Sequence, residues 1–390
     1  MKYSSLVNKI PDYPFRKVNQ ISREAENRDG IRVINARIGI PDVEAPRAIK
    51  EAMAKFVLED NSTFGYPCDV HPERGIPELI EAIIGQYEEK YSVKLKPENI
   101  AVTGWAKEVL HNLTRLFEPG NIQIPDPVYP AYEAATILSH HDIVRVRTSA
   151  ETDWLPEFDF KDGNTVAFYF CDPNNPLGNM ADEEYYRSLA KEAASADVVG
   201  IFDKAYKDYV FDENTKPVSI TRIPGLMDYG YEVVSFSKHY NFVGIGLGWI
   251  VSSEENINRW FKLSSQYSQG VAWYKQKAGV VALTSPAVKE EMQRYWNELK
   301  ERRDIFSRGL NELGLKVEIP KTTPYLWVKV PDGYDDEDFV LNRLINSAHV
   351  AFMPGSYFGE NGKGYCRATI FLPKSEIEEA LDRINKIKNW

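Results

Sequence analysis

Between Ile100 and Ile250 the sequence repeats one pattern. Short apolar runs recur at Ile100–Thr103, Asn121–Ile124, Ile143–Val146, Val166–Cys171, Val198–Phe202 and Val233–Phe236. Helical patterns lie between several of them, notably Lys107–Phe117 and Asp182–Ala194. Parallel strands need long crossovers, and strands buried on both faces read as continuous apolar runs. The alternation therefore predicts an α/β fold with a mostly parallel sheet covered by helices. In such sheets ligands bind beyond the carboxyl ends of the strands. The residues that follow each apolar run are the places to look for chemistry.

The flanking sequence adds a second unit. A chain of 390 residues exceeds what one hydrophobic core usually supports. Ile31–Ile40 reads as a strand ending in the turn Gly39-Ile40-Pro41-Asp42, and Pro46–Leu58 as a helix. Gly75–Leu79 opens another helix with its proline near the start. Ser285–Leu313 is a long charged helix. Short strands follow at Val317–Ile319, Leu326–Val330, Val350–Met353 and Tyr365–Phe371. A last helix is expected from Ser375, with Glu378 completing a capping box. We divide the chain into an N-terminal arm with a small-domain segment (1–45), a large domain (46–285) and a smaller α+β C-terminal domain (286–390).

Composition excludes some partners. The net charge of −10 argues against nucleic acid. No segment has the length of a membrane span. Cys68, Cys171 and Cys366 are odd in number and far apart, with no disulfide or metal-ligand spacing. That pattern and the lack of an apolar leader point to the cytoplasm. No metal is expected.

Five stretches follow apolar runs. Ser235-Phe236-Ser237-Lys238 places a lysine at a strand end, where partial desolvation lowers its pKa and frees the amine to attack a carbonyl. Gly104-Trp105-Ala106-Lys107 joins a strand to a helix N-terminus, which suits a phosphate. Pro127-Val128-Tyr129-Pro130 offers a rigid aromatic for stacking on a flat ring. Asp172-Pro173-Asn174-Asn175-Pro176-Leu177-Gly178 is a tight turn with amides for a ligand oxygen. Ile201-Phe202-Asp203-Lys204-Ala205-Tyr206 ends a strand in an acid, and a buried carboxylate needs a cationic partner or strong donors. Each stretch alone also reads as ordinary structure. Together they meet the needs of pyridoxal 5′-phosphate: a phosphate cradle, a ring stacker, an oxygen donor, an acid for the ring nitrogen and an amine for the carbonyl.

The ordered set resembles the class I/II aminotransferases of fold type I. Asp172–Gly178 resembles their N-P-x-N-P-T-G, and Ser235–Lys238 their S-x-S-K. Gly355–Arg367 resembles their G-S-x-F-G…G-x-G-x-x-R. The last piece and Tyr267-Ser268-Gln269-Gly270-Val271 look most like LL-diaminopimelate and alanine-type members. The resemblance implies Lys238 as the amine that condenses with the cofactor and then moves the proton at the substrate Cα. It implies Asp203 at the ring nitrogen, Tyr206 and Asn175 at the ring oxygen, and Tyr129 stacked on the ring. Trp105, Ala106, Lys107 and Ser235 would surround the phosphate. Arg367 would fork onto the substrate α-carboxylate, helped by Asn175 and by the Gly39 backbone. Tyr66 would reach the phosphate of the neighbour in a homodimer. Arg37, two residues before Gly39, is read as a structural ion pair or as a contact for a distal carboxylate.

Three positions depart from the family. Gly246 stands where a phosphate-binding arginine is usual, Leu177 replaces threonine, and Trp105 replaces glycine. Lys107 is the expected substitute cation, and an arginine restored at position 246 is expected to recover phosphate contact if it fits. The implied activity is amino transfer between an amino acid and a 2-oxo acid. A lyase or another amino-acid-modifying reaction on the same fold, and a non-enzymatic cofactor-binding regulator, stay open as alternatives.

Overall fold

The computed structural model describes residues 4–59, 74–212 and 214–390. Its strands in chain order are β1 (Ile34–Asn35), β2 (Ile100–Thr103), β3 (Asn121–Asp126), β4 (Asp142–Arg147), β5 (Thr165–Cys171), β6 (Val199–Asp203), β7 (Gly230–Ser235), β8 (Gly248–Val251), β9 (Lys316–Val317), β10 (Tyr325–Lys329), β11 (Val350–Ala351), β12 (Met353–Pro354) and β13 (Tyr365–Thr369).

Seven of them form one sheet in the order β2-β8-β7-β6-β5-β3-β4. Only β8 runs against its neighbours, β2 and β7. The other six point the same way, so their carboxyl ends share one edge. The apolar runs explain the burial. Every residue of β2 and β7 is buried, because helices cover both faces. One face packs Val109, Leu110, Leu113, Tyr132 and Trp260 against Ile122, Ile124, Ile201 and Val233. The other is aromatic, with Phe158, Phe168, Phe170, Tyr186 and Phe202 in contact. Asp182 caps the helix Glu183–Ala196 by accepting from the Tyr185 N–H at 2.8 Å.

A second sheet has the order β12-β13-β10-β9 and is antiparallel. The N-terminal strand β1 pairs in parallel with β11, far along the chain. The helix Pro286–Glu312 has Pro286 at its first position and Ser285 as its cap.

Some local expectations change. The Ile31–Ile40 strand contracts to β1. The helix expected over Lys107–Phe117 runs from Ala106 to Leu113 and ends in a 3₁₀ turn, Thr114–Leu116. Val350–Met353 is two strands in two pairings, with β11 on β1 and β12 on β13. The last helix starts at Lys374 with Pro373 at its cap and no side-chain capping bond, so Ser375 lies inside the first turn and makes no capping box. Proline has no N–H to satisfy, which lets the chain enter the helix there. β8 was not expected as a strand, because its four residues follow directly on a glycine-rich run.

Asp126, at the end of β3, ties the larger sheet to the C-terminal segment. It is buried, and its carboxylate accepts from the Glu360 N–H at 3.2 Å and the Asn361 N–H at 3.1 Å. Gly359 fits beside it only for lack of a Cβ, which would lie 1.9 Å from Oδ1. Asp126→Ala orphans two backbone donors and should cost about 1–3 kcal/mol, read as a lower midpoint in thermal or urea unfolding.

Candidate active site

A cleft of about 420 Å³ opens at the carboxyl ends of the strands. The sheet delivers its residues one strand at a time. β6 ends in Asp203, and β5 ends in Cys171, whose following turn carries Asn175. After β7, Ser235 accepts from the Ser237 N–H at 3.1 Å and starts the one-turn helix Phe236–His239, which presents Lys238. Beyond β2, Trp105 stands at the N-cap position of the helix Ala106–Leu113, with no capping side-chain bond. Tyr129 follows β3, and Arg367 comes from β13 in the second sheet. All of these line the cleft together with Gly39 and Tyr206.

The Lys238 ammonium donates to the Gly39 carbonyl. Burial first, and then the Arg367 charge, push its pKa down to about 8, while Asp203 pulls the other way. Far more free amine is therefore present near neutral pH than for an ordinary lysine, although the ammonium still predominates there. Asp203 accepts from the Tyr132 hydroxyl at 2.7 Å and from the Ala205 N–H at 3.0 Å. Burial raises its pKa, against those two donors and the charges of Lys204 and Lys238. The Tyr132 ring is fixed by stacking on Tyr169, with centroids 4.3 Å apart, and Tyr129 meets it edge-on at 5.8 Å. Tyr206 and Tyr325 share a hydroxyl hydrogen bond of 2.6 Å. A Cβ on Gly39 would lie 2.0 Å from the Tyr325 hydroxyl, so the close approach of this loop requires glycine.

Arg367 is 1% exposed. Its two terminal nitrogens donate to Asn175 Oδ1 and to the Arg37 carbonyl, both at 2.7 Å. Nε is buried with no partner. The guanidinium lies 4.2 Å from the Tyr325 ring centre and 4.7 Å from that of Phe358.

The sequence-derived residues are thus brought to one place, apart from Tyr66, which lies outside the described residues. Lys107 is on the rim, exposed, with its ammonium 5.0 Å from the Tyr13 ring centre. Sequence reasoning missed Tyr132, Tyr325 and the arm residues Tyr13 and Phe15. Tyr132 stood in view, three residues after Tyr129; Tyr325 had no local signal.

Gly246 corrects one expectation. Its φ is +71°, and a Cβ there would lie 2.6 Å from Cε2 of Trp105. The indole, 38% exposed, closes the space that a side chain at 246 would need. The two departures from the family are one steric exchange. Gly246→Arg should destabilise the fold by about 1–3 kcal/mol and gain no cofactor affinity, measured by thermal unfolding and by cofactor titration. Tighter binding in that single variant contradicts the exchange.

Among the described residues, no helix is long and apolar enough to cross a membrane, and no cluster of metal-ligating side chains occurs. A family model of the class I and II aminotransferases matches residues 31–384. The LL-diaminopimelate aminotransferase of Aquifex aeolicus is 32% identical over 394 residues, covering 99% of each chain. LL-diaminopimelate aminotransferase 2 of Nostoc sp. is 32% identical over 98% of each chain. Among solved structures, substrate-bound BacF from Bacillus subtilis superposes with a TM-score of 0.89 at 28% identity, covering 100% of this chain and 98% of that one. Alanine aminotransferase from Pyrococcus furiosus gives a TM-score of 0.86 at 29% identity, covering 99% of each chain. The chain belongs to the class I and II aminotransferases, enzymes that move an amino group between an amino acid and a 2-oxo acid.

Proposed function

We propose that this cleft binds pyridoxal 5′-phosphate and that the chain works as a homodimer in the cytoplasm. The observation that carries the reading is the pair Lys238 and Asp203: an amine made available by burial, and a buried carboxylate with neutral donors and no ion-pair partner among the described residues. The donor set fits the cofactor. Asp203 suits a protonated ring nitrogen, and Tyr206 suits the ring oxygen. Tyr129 gives the ring a face to stack on. Ser235 and the free N–H groups at residues 105–107 suit the phosphate, with Lys107 at the rim. Bound there, the cofactor supplies a carbonyl carbon and an electron-withdrawing ring.

The protein's own residues do the rest. Arg367 binds and orients the substrate α-carboxylate through its unpartnered edge, and Asn175 holds the guanidinium in plane. Lys238 takes the proton from the substrate Cα and returns it, its lowered pKa allowing both directions near neutral pH. Asp203 and its Tyr132 bond keep the opposite end of the site polar but dry. Tyr325 supports Tyr206 and packs on Arg367. Pairing of β1 with β11 supports assigning residues 1–45 and 286–390 to one smaller domain, with 46–285 as the larger.

Three measurements test this. Apo protein should take up pyridoxal 5′-phosphate at a rate that rises with pH through about 8, where Lys238 loses its proton, and then levels off. Lys238→Ala should retain no visible cofactor absorbance after dialysis and no transamination of amino donors, LL-diaminopimelate and alanine included, with pyruvate or 2-oxoglutarate. A coloured, active Lys238→Ala protein refutes the site. Sedimentation should give twice the chain mass of 44.6 kDa; a fully active monomer refutes the dimer.

A further inference from the structure

Two consecutive residues, Asp153 and Trp154, have left-handed backbones, with φ of 49° and 59°. Aspartate tolerates that conformation. For a side chain as bulky as tryptophan it is an outlier, and such strain persists only where surrounding contacts impose it. The pair follows the 3₁₀ turn Ala150–Thr152, between β4 and β5 of the larger sheet. The Trp154 N–H donates to the Ser149 carbonyl, and the Asp153 carbonyl accepts from the Asn179 side chain, both at 2.8 Å. Trp154 is half-buried, and its ring reaches across to the second sheet. It meets Trp327 of β10 edge-on at 6.0 Å and Tyr365 of β13 edge-on at 5.2 Å. Those two rings stack on each other at 5.4 Å, so the three form one aromatic unit in favoured geometries.

These contacts lead to Arg367. Trp327 is its cross-strand partner and Tyr365 lies two residues before it, so all three side chains leave the same face of the second sheet. Trp327 also meets Phe358 at 6.2 Å, and the Phe358 ring centre lies 4.7 Å from the guanidinium. A second route runs through hydrogen bonds. Asn175 Oδ1 accepts from Arg367 at 2.7 Å. The turn that carries Asn175 is closed by the Asn174 N–H donating to the Asn179 carbonyl at 3.0 Å, and Asn179 is the residue that holds Asp153. The strained pair therefore supports the guanidinium from two sides, although neither residue lines the cleft. A guanidinium grips a carboxylate with two nitrogens only while its plane is fixed. We infer that Trp154 is a positioning residue: its ring, pressed onto Trp327 and Tyr365, holds Arg367 in the orientation that receives the substrate α-carboxylate. The inference rests on the carboxylate role proposed above for Arg367.

Two alkoxyamines isolate the carboxylate contact in the cofactor-loaded protein. Aminooxyacetate and methoxyamine both condense with the cofactor carbonyl and discharge its colour, and they differ by one carboxylate. Wild type should react on the order of 10- to 100-fold faster with aminooxyacetate, the effect of one charged hydrogen-bonded contact. Trp154→Ala should cut that ratio by about 5- to 10-fold, a partial loss of the same contact, and leave the methoxyamine rate and the cofactor affinity unchanged. Trp154→Phe, which keeps an edge-on ring, should retain most of the ratio. In the Arg367→Lys background, Trp154→Ala should change the ratio by less than about twofold, because both residues then act through one lost group. A wild-type ratio in Trp154→Ala overturns the inference. So does an equal fall in both rates, the mark of general loosening, and so does the same fall in the ratio with and without Arg367→Lys. If Trp154→Ala does not fold, Trp154→Leu is read by the same criteria. A wild-type ratio in Arg367→Lys alone overturns the carboxylate role of Arg367 itself, and the inference with it; a lowered ratio there beside an unchanged one in Trp154→Ala overturns the inference only.

Discussion

A guanidinium is costly to bury, and Arg367 is the largest charged group buried at the centre of this molecule. What holds it is drawn from across the chain. Asn175 comes from the turn after β5, the Arg37 carbonyl from the N-terminal segment, and Tyr325 and Phe358 from the second sheet and its loop. Arg367 is made in β13, opposite Trp327 of β10 and Met353 of β12. One side chain therefore fixes the relative position of three distant segments. Two of its five donors are used by the protein, and Nε has no partner. The seating of the N-terminal segment therefore depends on the side chain that, on the reading proposed above, holds the substrate carboxylate.

The opposite wall is organised by pairing its buried charges away from Asp203 and Lys238. Asp203 has neutral donors only, Tyr132 and the Ala205 N–H, while the Lys204 ammonium beside it turns away to Asp172 at 2.8 Å and is almost wholly buried. Behind Lys238, Asp208 ion-pairs with Lys90 and Lys207 and lies 3.3 Å from His239. Those pairs satisfy the cations next to the site and leave Lys238 with a backbone carbonyl as its partner. The Tyr209 hydroxyl donates to the Lys238 carbonyl at 2.6 Å and holds the one-turn helix in place.

The sequence made the large sheet legible because burial on both faces writes itself as continuous apolar runs. It also made strand-end residues such as Asp203 and Lys238 legible, because strand ends in such sheets are where polar residues meet ligands. It could not place partners that meet only through tertiary contact. Tyr325 and Tyr206 are 119 residues apart, and Asp126 meets Asn361 across 235. The fate of Arg37 was undecidable for the same reason: an ion pair is a property of neighbours, and its charged neighbours, Arg23 and Glu26, come from a separate helix. Trp105 and Gly246 each read as an isolated departure, and only their contact shows one exchange. Tyr66 lies outside the described residues, so the part expected of it in a dimer rests on the sequence.

Burial, seconded by charge, sets the Lys238 amine apart from the other cations of the cleft. The chain carries a net −10, yet among the described residues the cleft lining has Arg37, Lys107, Lys238 and Arg367 against Asp203 alone. Such a concentration of positive charge draws phosphate and carboxylates inward. Within it, the Arg367 charge raises the cost of protonating Lys238. Guanidinium groups absorb that cost without losing their protons, because their intrinsic pKa is far above neutrality. Lysine does not. Lys238 is half-buried, and desolvation first and the fixed charge of Arg367 second bring its pKa down to about 8, so that it gives up its proton far more readily than an ordinary lysine. On the reading proposed above, the arginine that orients the substrate α-carboxylate also contributes to lowering the pKa of the reacting amine, so a change at Arg367 alters both.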